Sequence, residues 1–390
     1  MRDESIFTRA VHADEDRSKH HGAVSVPVYN ASVFSFTDVE SGAEIHNEIT
    51  PGYYYGRNGN PTTEALEKTV AELEGGEAAL AFASGMAAVS AGVLANVRTG
   101  DHIIAPESMY STTTNFLKHL AQNFGIEVTF VAAEYAEEYG LAIQPNTKIF
   151  WIETPSNPLV RITDIRRVAA IAQDAGILTI ADNTFATPFN QRPIELGVDI
   201  VIHSATKYLG GHSDLTAGVL VATLDMAAHI RKIASKLYGG NIAPQVAWLV
   251  MRGIKTLALR MEHHNLNASV LANMLSEQPK VRALHYPGLA SHQNHDVARK
   301  QMINGFGGII GLDLGTMEAG KSFINNVKLC VRGTSLGGVE TIVQHAASMT
   351  YASICPEARL KAGISDGLIR LSVGIEHIDD LARDIVSSLK

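Results

Sequence analysis

The sequence has little cysteine, no long apolar run and no excess of positive charge, and each lack excludes a class of protein. The two cysteines, Cys330 and Cys355, cannot form a disulfide framework and have no partners at zinc-ligand spacing. No apolar stretch approaches the roughly 20 residues that span a bilayer. The net charge of −8 disfavours nucleic acids and anionic membranes as partners. The charged start, residues 1–5, is unlike a signal peptide, so we expect a cytoplasmic protein.

The length of the chain predicts two domains, because 390 residues exceed what one hydrophobic core usually serves. Hydrophobic residues make up 46%, which is enough for a large core, and charged residues only 18%, which is typical of deep burial or wide subunit contacts. We divide the chain into an N-terminal arm over residues 1–57, a large α/β domain over 58–255 and a smaller α+β domain over 256–390.

The arm is the least regular part. It combines a charged run at residues 14–21, two short β-like runs at 24–28 and 32–36, and an aromatic cluster at 53–57. Such a segment seldom folds alone, so we expect it to lie over another part of the protein. After a turn, Thr62 or Thr63 is predicted to cap a helix over residues 64–74.

Between residues 77 and 222, short apolar strands alternate with helices. The strands are predicted at 78–83, 102–105, 127–132, 148–152, 177–181, 200–202 and 217–222, with helices at 87–95, 115–122 and 165–173. This alternation predicts a mostly parallel sheet covered on both faces. Because the carboxyl ends of parallel strands meet at one edge, we expect the polar residues that follow them to converge: Ser84, Tyr110, Asn157, Asp182 and Lys207.

The rest of the chain predicts one long connecting helix and an α+β unit. The helix covers residues 251–275, and strands follow near 281–285, 308–314 and 368–373, with helices near 318–327 and 378–389.

Residues 198–214 carry the most informative pattern. A buried strand opens there into a polar loop that contains Ser204, Thr206 and Lys207. An amine at this place lies at the usual ligand edge of an α/β sheet, and nearby hydroxyls can bind an anion. We interpret Lys207 as the amine that forms a Schiff base with pyridoxal phosphate (PLP), with both hydroxyls on the phosphate side. The alternative is a solvated surface lysine.

Other residues match the remaining needs of PLP. Asp182 can pair with the pyridine nitrogen, or it can simply cap a helix. Residues 84–86 open a helix whose N–H groups can bind the phosphate, although Ser-Gly also makes tight turns. Tyr110 can stack on the ring or be a buried structural tyrosine. Arg370 interrupts an apolar strand, and its fork of donors suits a substrate carboxylate.

Two other kinds of site are not predicted. The glycine run at residues 305–311 does not fit the dinucleotide fingerprint, because position 310 is Ile. No metal site is expected either, because neighbouring histidines lack partners at ligand spacing: His20 and His21, His263 and His264, His292 and His295.

These residues resemble a known family, the fold-type I PLP-dependent enzymes of cysteine and methionine metabolism. It includes cystathionine γ-synthase, cystathionine γ-lyase, methionine γ-lyase and the O-acylhomoserine sulfhydrylases. The resemblance covers nearly the whole chain and implies the PLP-dependent transferase-like fold of aspartate aminotransferase. It rests on motifs in the expected order: YGR (55–57), GNPT (59–62), SGM (84–86), ETPSNP (153–158), ADNT (181–184), HSATKYLGGHSD (203–214), MRGIKT (251–256) and RLSVG (370–374).

The resemblance implies a role at each matching position. Lys207 would form the imine and move protons, and Tyr110 would stack on the ring and help to protonate the γ leaving group. Asp182 would pair with the pyridine nitrogen and Asn157 with the ring oxygen. The phosphate would be held by Gly85, Met86, Ser204 and Thr206.

The same resemblance implies how substrate and subunits meet. Ser335 and Arg370 would grip the substrate carboxylate, and the other substrate-facing positions are Tyr55, Thr112 and Thr334. Tyr55 and Arg57 would reach the phosphate of a neighbouring subunit, which would explain the irregular arm. The active unit would then be a dimer, and the assembly a homotetramer of two dimers.

Three departures from the family pattern concern the substrate. Gly56 replaces a common Ser, a small change. Thr112 stands where methionine γ-lyases have Cys, and Thr334 where enzymes that handle cystathionine usually have Glu to meet the distal ammonium. An O-acylhomoserine, or an oxygen-linked substrate such as canavanine, therefore becomes attractive.

Two enzyme functions and one function of a different class follow. The first is γ-elimination from a homoserine-type amino acid with an S- or O-linked γ substituent. The second is γ-replacement, in which a thiol captures the same early intermediates. The third is a non-catalytic ligand-binding α/β protein. It would be favoured if the purified protein showed no PLP chromophore.

Overall fold

A seven-stranded sheet forms the centre of the larger part of the molecule. The computed structural model describes residues 4–13, 17–352 and 355–389, so part of the predicted charged run at 14–21 lies outside the described residues. The strands are β1 Ala78–Phe82, β2 His102–Pro106, β3 Glu127–Val131, β4 Thr147–Glu153, β5 Leu178–Asp182, β6 Ile200–His203 and β7 Gly218–Ala222. Their order is β1-β7-β6-β5-β4-β2-β3, and β7 runs antiparallel to the other six strands.

Helices cover both faces of this sheet, as the alternation of strands and helices predicts. The helices of this part of the chain are, in order, α1 Ile6–His12, α2 Val39–His46, α3 Pro61–Glu74, α4 Gly85–Leu94, α5 Ser111–Phe124, α6 Glu137–Leu141, α7 Ile165–Ala175, α8 Thr187–Asn190, α9 Leu224–Ile230 and α10 Pro244–Ile254. Helices α3, α7 and α10 pack on one face through Leu66, Val168 and Val250. Helices α4 and α5 pack on the other through Val89 and Leu117. The mostly parallel α/β architecture is therefore confirmed.

A second, five-stranded sheet follows. Its strands are β8 Ala283–His285, β9 Ile309–Asp313, β10 Val331–Arg332, β11 Ile342–His345 and β12 Leu368–Ser372, in the order β10-β11-β12-β9-β8. Helices α11 Leu257–Ser276, α13 Met317–Asn326 and α15 Ile378–Ser388 pack against it, while α12 His295–Gln301 and α14 Pro356–Lys361 lie between the strands in sequence. The α+β character of this part is confirmed. The domain boundaries at residues 57 and 255 stay predictions.

The predicted long helix over residues 251–275 is wrong, because the chain forms two helices there. α10 ends at Ile254 and α11 begins at Leu257. The buried guanidinium of Arg260 lies at this break and donates to the carbonyl of Gly253 at 2.7 Å and to that of Tyr208 at 2.7 Å. A side chain thus satisfies a carbonyl at the end of α10, which a continuous helix would have used itself.

The predicted cap of α3 is also wrong. Asn60 is the capping residue, and its side chain accepts from the N–H of Thr62 at 2.9 Å, followed by a proline at the first helical position. The Thr62 hydroxyl instead donates to Pro27 and accepts from Tyr29 of the arm. The residue expected to start the helix therefore fastens the arm to it.

The described residues of the arm contain helices α1 and α2 and no strand at the β-like runs 24–28 and 32–36. Their β structure is limited to an isolated bridge between Val33 and Tyr55. Aromatic stacking, with the rings of Phe36 and Tyr54 5.0 Å apart, orders this region locally. Both β-like runs are thus corrected: neither forms a strand, and Val24 and Val33 are each 69% exposed. No helix in the described part of the chain is both long and apolar enough to cross a bilayer.

Candidate active site

A cavity of about 350 Å³ lies where the carboxyl ends of the parallel strands face the five-stranded sheet. The five residues expected to converge all line it: Ser84, Tyr110, Asn157, Asp182 and Lys207. So do six further predicted site residues: Gly85, Met86, Ser204, Thr206, Ser335 and Arg370. Thr334, at one of the departures from the family pattern, also contributes to the lining. The edge of the sheet therefore collects residues that are far apart in sequence.

Lys207 lies in the loop after β6, and its ammonium group donates to the hydroxyl of Ser335 at 2.6 Å. Burial, and then the positive charge of Arg370, lower the pKa of Lys207 to about 8, against a smaller opposing effect of Asp182. Ser335 has a positive φ of 73°, an uncommon conformation for a residue with a Cβ, and it is held beside the lysine. A substantial share of this amine is neutral, and thus nucleophilic, at mildly alkaline pH.

Two buried carboxyl groups line the cavity at the ends of adjacent strands. Asp182 ends β5 and accepts from the N–H of Thr184 at 3.0 Å. Burial raises the pKa of Asp182, and hydrogen bonds from Thr184 oppose the rise. Glu153 ends β4, and burial together with the charge of Asp182 raises the pKa of Glu153 well above its usual range. Glu153 belongs to the predicted ETPSNP motif, but its own role was not predicted from the sequence.

The part of the cavity lined by Ser84, Gly85 and Ser204 has the form of an anion site. Gly85 opens α4, and the Ser84 hydroxyl caps this helix by accepting from Ala87 at 3.1 Å. A Cβ on Gly85 would lie 2.8 Å from the Oγ of Ser204, so only glycine permits this close approach. The hydroxyl of Thr206 is hydrogen-bonded to the backbone of Ala217, which leaves Ser204 the freer of the two predicted hydroxyls.

Arg370 forms the wall on the side of the five-stranded sheet and is only 4% exposed. Its guanidinium donates to Asn157 Oδ1 at 3.0 Å, to the carbonyl of Ser335 at 2.5 Å and to Gln344 Oε1 at 2.9 Å. These acceptors are all neutral. Burial lowers the pKa of Arg370 to about 10, so the group remains a cation at neutral pH. A buried cation with neutral partners is suited to an incoming carboxylate. Gln344 was not predicted, because strand β11 was not recognised.

Three predicted site residues do not line the cavity of their own chain. Tyr55 is 41% exposed, and the guanidinium of Arg57 lies 5.6 Å from the centre of its ring. Arg57 also donates to the carbonyl of Lys236. Thr112 is exposed, whereas its neighbour Ser111 lines the cavity.

Comparisons with known proteins agree with this geometry. A family model described as Cys/Met metabolism PLP-dependent enzyme matches residues 7–390. The chain is 42% identical to an L-methionine gamma-lyase of Fusobacterium nucleatum, over 100% of this chain and 99% of the relative, and 46% identical to a cystathionine gamma-lyase of Bacillus subtilis, over 98% of each. The crystal structure of a cystathionine gamma-lyase from Lactobacillus plantarum, complexed with L-serine, aligns with a TM-score of 0.92 at 38% identity, over 99% of this chain and 98% of that one.

The residues present fit PLP. The aldehyde requires an amine, and Lys207 is a half-buried lysine with a lowered pKa. The pyridine nitrogen requires a buried carboxyl group, and Asp182 offers one on the same edge of the sheet. The phosphate requires donors at a helix start, and the close approach of Gly85 and Ser204 leaves backbone N–H groups there.

Proposed function

The chain belongs to the PLP-dependent enzymes of cysteine and methionine metabolism, and from that premise we propose that it is a γ-lyase for a homoserine-type amino acid with an S- or O-linked γ substituent. One observation carries the choice of substrate. Of the described residues that line the cavity, only Glu153 and Asp182 have carboxyl groups, and both lie at the end of the large sheet. Thr334, beside Ser335, offers no charge to a second ammonium group. Substrates with a neutral or oxygen-linked γ group, such as an O-acylhomoserine or canavanine, are therefore favoured over cystathionine.

Each side chain has a proposed task in this reaction. Arg370 and the Ser335 hydroxyl bind the substrate carboxylate and so orient the amino acid. Lys207 takes protons from Cα and Cβ, and Tyr110 delivers one to the departing γ group. When bound, PLP supplies the electron sink that makes Cα acidic.

The cofactor has its own set of proposed contacts. Asp182 would keep the pyridine nitrogen protonated, and the amide of Asn157 would donate to the ring oxygen. Asn157 Oδ1 already accepts from Arg370, which leaves its NH₂ group for that donation. The phosphate would be held at the start of α4 by Gly85, Met86, Ser204 and Thr206.

The arm suggests the assembly. Because Tyr55 and Arg57 do not line the cavity of their own chain, we propose that they complete the cavity of a second copy, beside its phosphate and its substrate. The protein would then be active as a dimer and assemble as a homotetramer of two dimers.

The experiment is a panel of γ-substituted amino acids, namely cystathionine, methionine, O-acylhomoserines and canavanine. Release of 2-oxo acid, ammonia and the γ group is measured with and without a thiol acceptor. We expect turnover to be fastest with an O-linked substrate and independent of thiol. A product that forms only with the thiol would instead establish γ-replacement. A preference for cystathionine would contradict the argument from Thr334.

The Lys207→Ala variant tests the site itself. Borohydride reduction of the wild-type protein should bleach the PLP chromophore and leave the reduced cofactor covalently bound to Lys207. In the variant we expect no covalent cofactor and a loss of turnover on the order of 10³-fold or more, since the proton-transfer group is removed as well. Covalent PLP in this variant would show that another amine forms the link.

A further inference from the structure

Glu153 connects two loops that carry proposed cofactor contacts. Both oxygens of its carboxyl group lie 2.9 Å from the backbone nitrogen of Tyr110, and Oε1 also accepts from the backbone of Asn157 at 3.0 Å. Tyr110 is 43 residues away in sequence, at the start of α5, whereas Asn157 follows β4 in the same loop as Glu153. One buried carboxyl group thus binds the main chain of two loops that line the cavity.

Among the described residues, Glu153 is the one acceptor for the backbone N–H groups of Tyr110 and Asn157. The two loops are also joined by a hydrogen bond between the hydroxyls of Ser108 and Ser156 at 3.2 Å, which holds neither of these N–H groups. Tyr110 occupies the capping position of α5 without a side-chain cap of its own, so Glu153 satisfies an N–H group that the helix leaves open. The tyrosine side chain is 42% exposed, and packing therefore constrains it weakly. On the other side, Asn157 Oδ1 receives Arg370, so a shift of the Asn157 backbone would also move the substrate-facing cation.

We propose that Glu153 is a positioning residue: through these hydrogen bonds it fixes the aromatic face of Tyr110 and the amide of Asn157 relative to each other, so that both would contact the cofactor ring when PLP is bound. The inference rests on the proposed function for the roles of Tyr110 and Asn157. It assigns no direct chemistry to Glu153, whose oxygens are already engaged by main-chain donors.

The protonation of Glu153 indicates which substitution mimics it. Burial, and then the charge of the nearby Asp182, raise the pKa of Glu153 well above its usual range, which favours the neutral form of the group. Glutamine is neutral, has nearly the same shape and keeps one carbonyl oxygen at the position of Oε1, which serves both N–H groups. Alanine removes both acceptors. Aspartate is one methylene shorter and cannot reach both loops.

The test compares Glu153→Gln, Glu153→Ala and Glu153→Asp with Thr154→Val as the matched control. Thr154 is the next residue, is also buried, and accepts a loop hydrogen bond from Thr163 that involves neither Tyr110 nor Asn157. In the holoenzymes one measures the visible circular dichroism of bound PLP, which reports the asymmetry around the ring, and the dissociation constant of PLP.

For Glu153→Ala we expect a reduced visible dichroism and a dissociation constant raised by about tenfold, the equivalent of one ordinary hydrogen bond. Glu153→Gln and Thr154→Val should stay within about twofold of the wild type, and Glu153→Asp should resemble alanine. If the alanine variant does not fold, the contrast between Gln and Asp carries the test. Wild-type dichroism and affinity in Glu153→Asp, or an equal loss in Thr154→Val, would overturn the inference. Neither readout uses a substrate, so a wrong choice of substrate would leave this test intact.

Discussion

The two walls of the cavity differ in the partners of their charged side chains. We call the wall of the seven-stranded sheet the first wall and that of the five-stranded sheet the second wall. On the wall of the seven-stranded sheet, the carboxyl groups of Glu153 and Asp182 are served by backbone N–H groups of the same wall. On the wall of the five-stranded sheet, Arg370 has only neutral acceptors among the described residues. A paired guanidinium would have little attraction left for a ligand. The second wall therefore holds a cation with no counter-ion among its hydrogen-bond acceptors in the described part of the chain, which supports the proposal that it binds a substrate carboxylate.

Among the substitutions that test this comparison, the largest effect is expected at Arg370 of the second wall. Arg370→Lys keeps the charge but removes the planar fork that contacts Asn157, Ser335 and Gln344 together. Loss of a bidentate, charge-assisted contact with the substrate should lower kcat/KM by about 100-fold, mostly through KM. Steady-state kinetics on the best substrate of the panel measures this.

Gln344→Glu is the matched variant for that prediction. It keeps the size of the side chain and the acceptor for Arg370, but it gives the cation an internal counter-ion. KM should rise here too, although the guanidinium geometry is intact. An unchanged KM in both variants would show that the substrate carboxylate binds elsewhere.

A smaller effect is expected at Arg57, which belongs to neither wall of its own cavity. If it binds the phosphate of a second copy, Arg57→Ala should raise the dissociation constant of PLP by about tenfold, as for a lost hydrogen bond to a charged group. Mixing this variant with Lys207→Ala provides the control. In a mixed dimer, one of the two sites combines the Lys207 of one subunit with the Arg57 of the other and is therefore intact. If subunits pair at random, half of the dimers are mixed, so about a quarter of all sites should bind PLP normally when PLP is limiting. No recovery on mixing would mean that Arg57 acts within its own chain.

The first wall could be predicted from the sequence far better than the second. Lys207, Asp182 and Tyr110 each follow an apolar strand of a regular strand–helix alternation, and the carboxyl ends of such strands must meet. Glu153 was missed because its partner is a backbone N–H group 43 residues away, and a main-chain contact leaves no sequence signal. Gln344 was missed because β11 has four residues and is bordered by irregular loops.

The arm shows the limit of local patterns in another way. Its β-like runs predicted strands, but a strand needs a neighbour, and the described residues provide only the bridge between Val33 and Tyr55. The predicted long helix is interrupted between Ile254 and Leu257, where Arg260 donates to the carbonyls of Gly253 and of the distant Tyr208. In the arm a partner strand is missing, and at the helix break a contact with a distant segment is present; neither can be read from the local pattern.

The smallest expected effect is a shift in the pKa of Lys207 when a charged group on either wall is removed. Capture of PLP by the cofactor-free protein requires the neutral amine, so its rate should rise with pH and level off above an inflection near 8, well below the usual lysine value. The positive charge of Arg370 is, after burial, a cause of this lowering, because it disfavours a second cation nearby. Arg370→Gln should therefore move the inflection to higher pH, and Asp182→Asn, which removes an anion, should move it to lower pH. Stopped-flow absorbance of the reconstitution measures all three profiles. An inflection that stays in place in both variants would mean that burial alone sets the pKa and that the two walls are electrostatically independent.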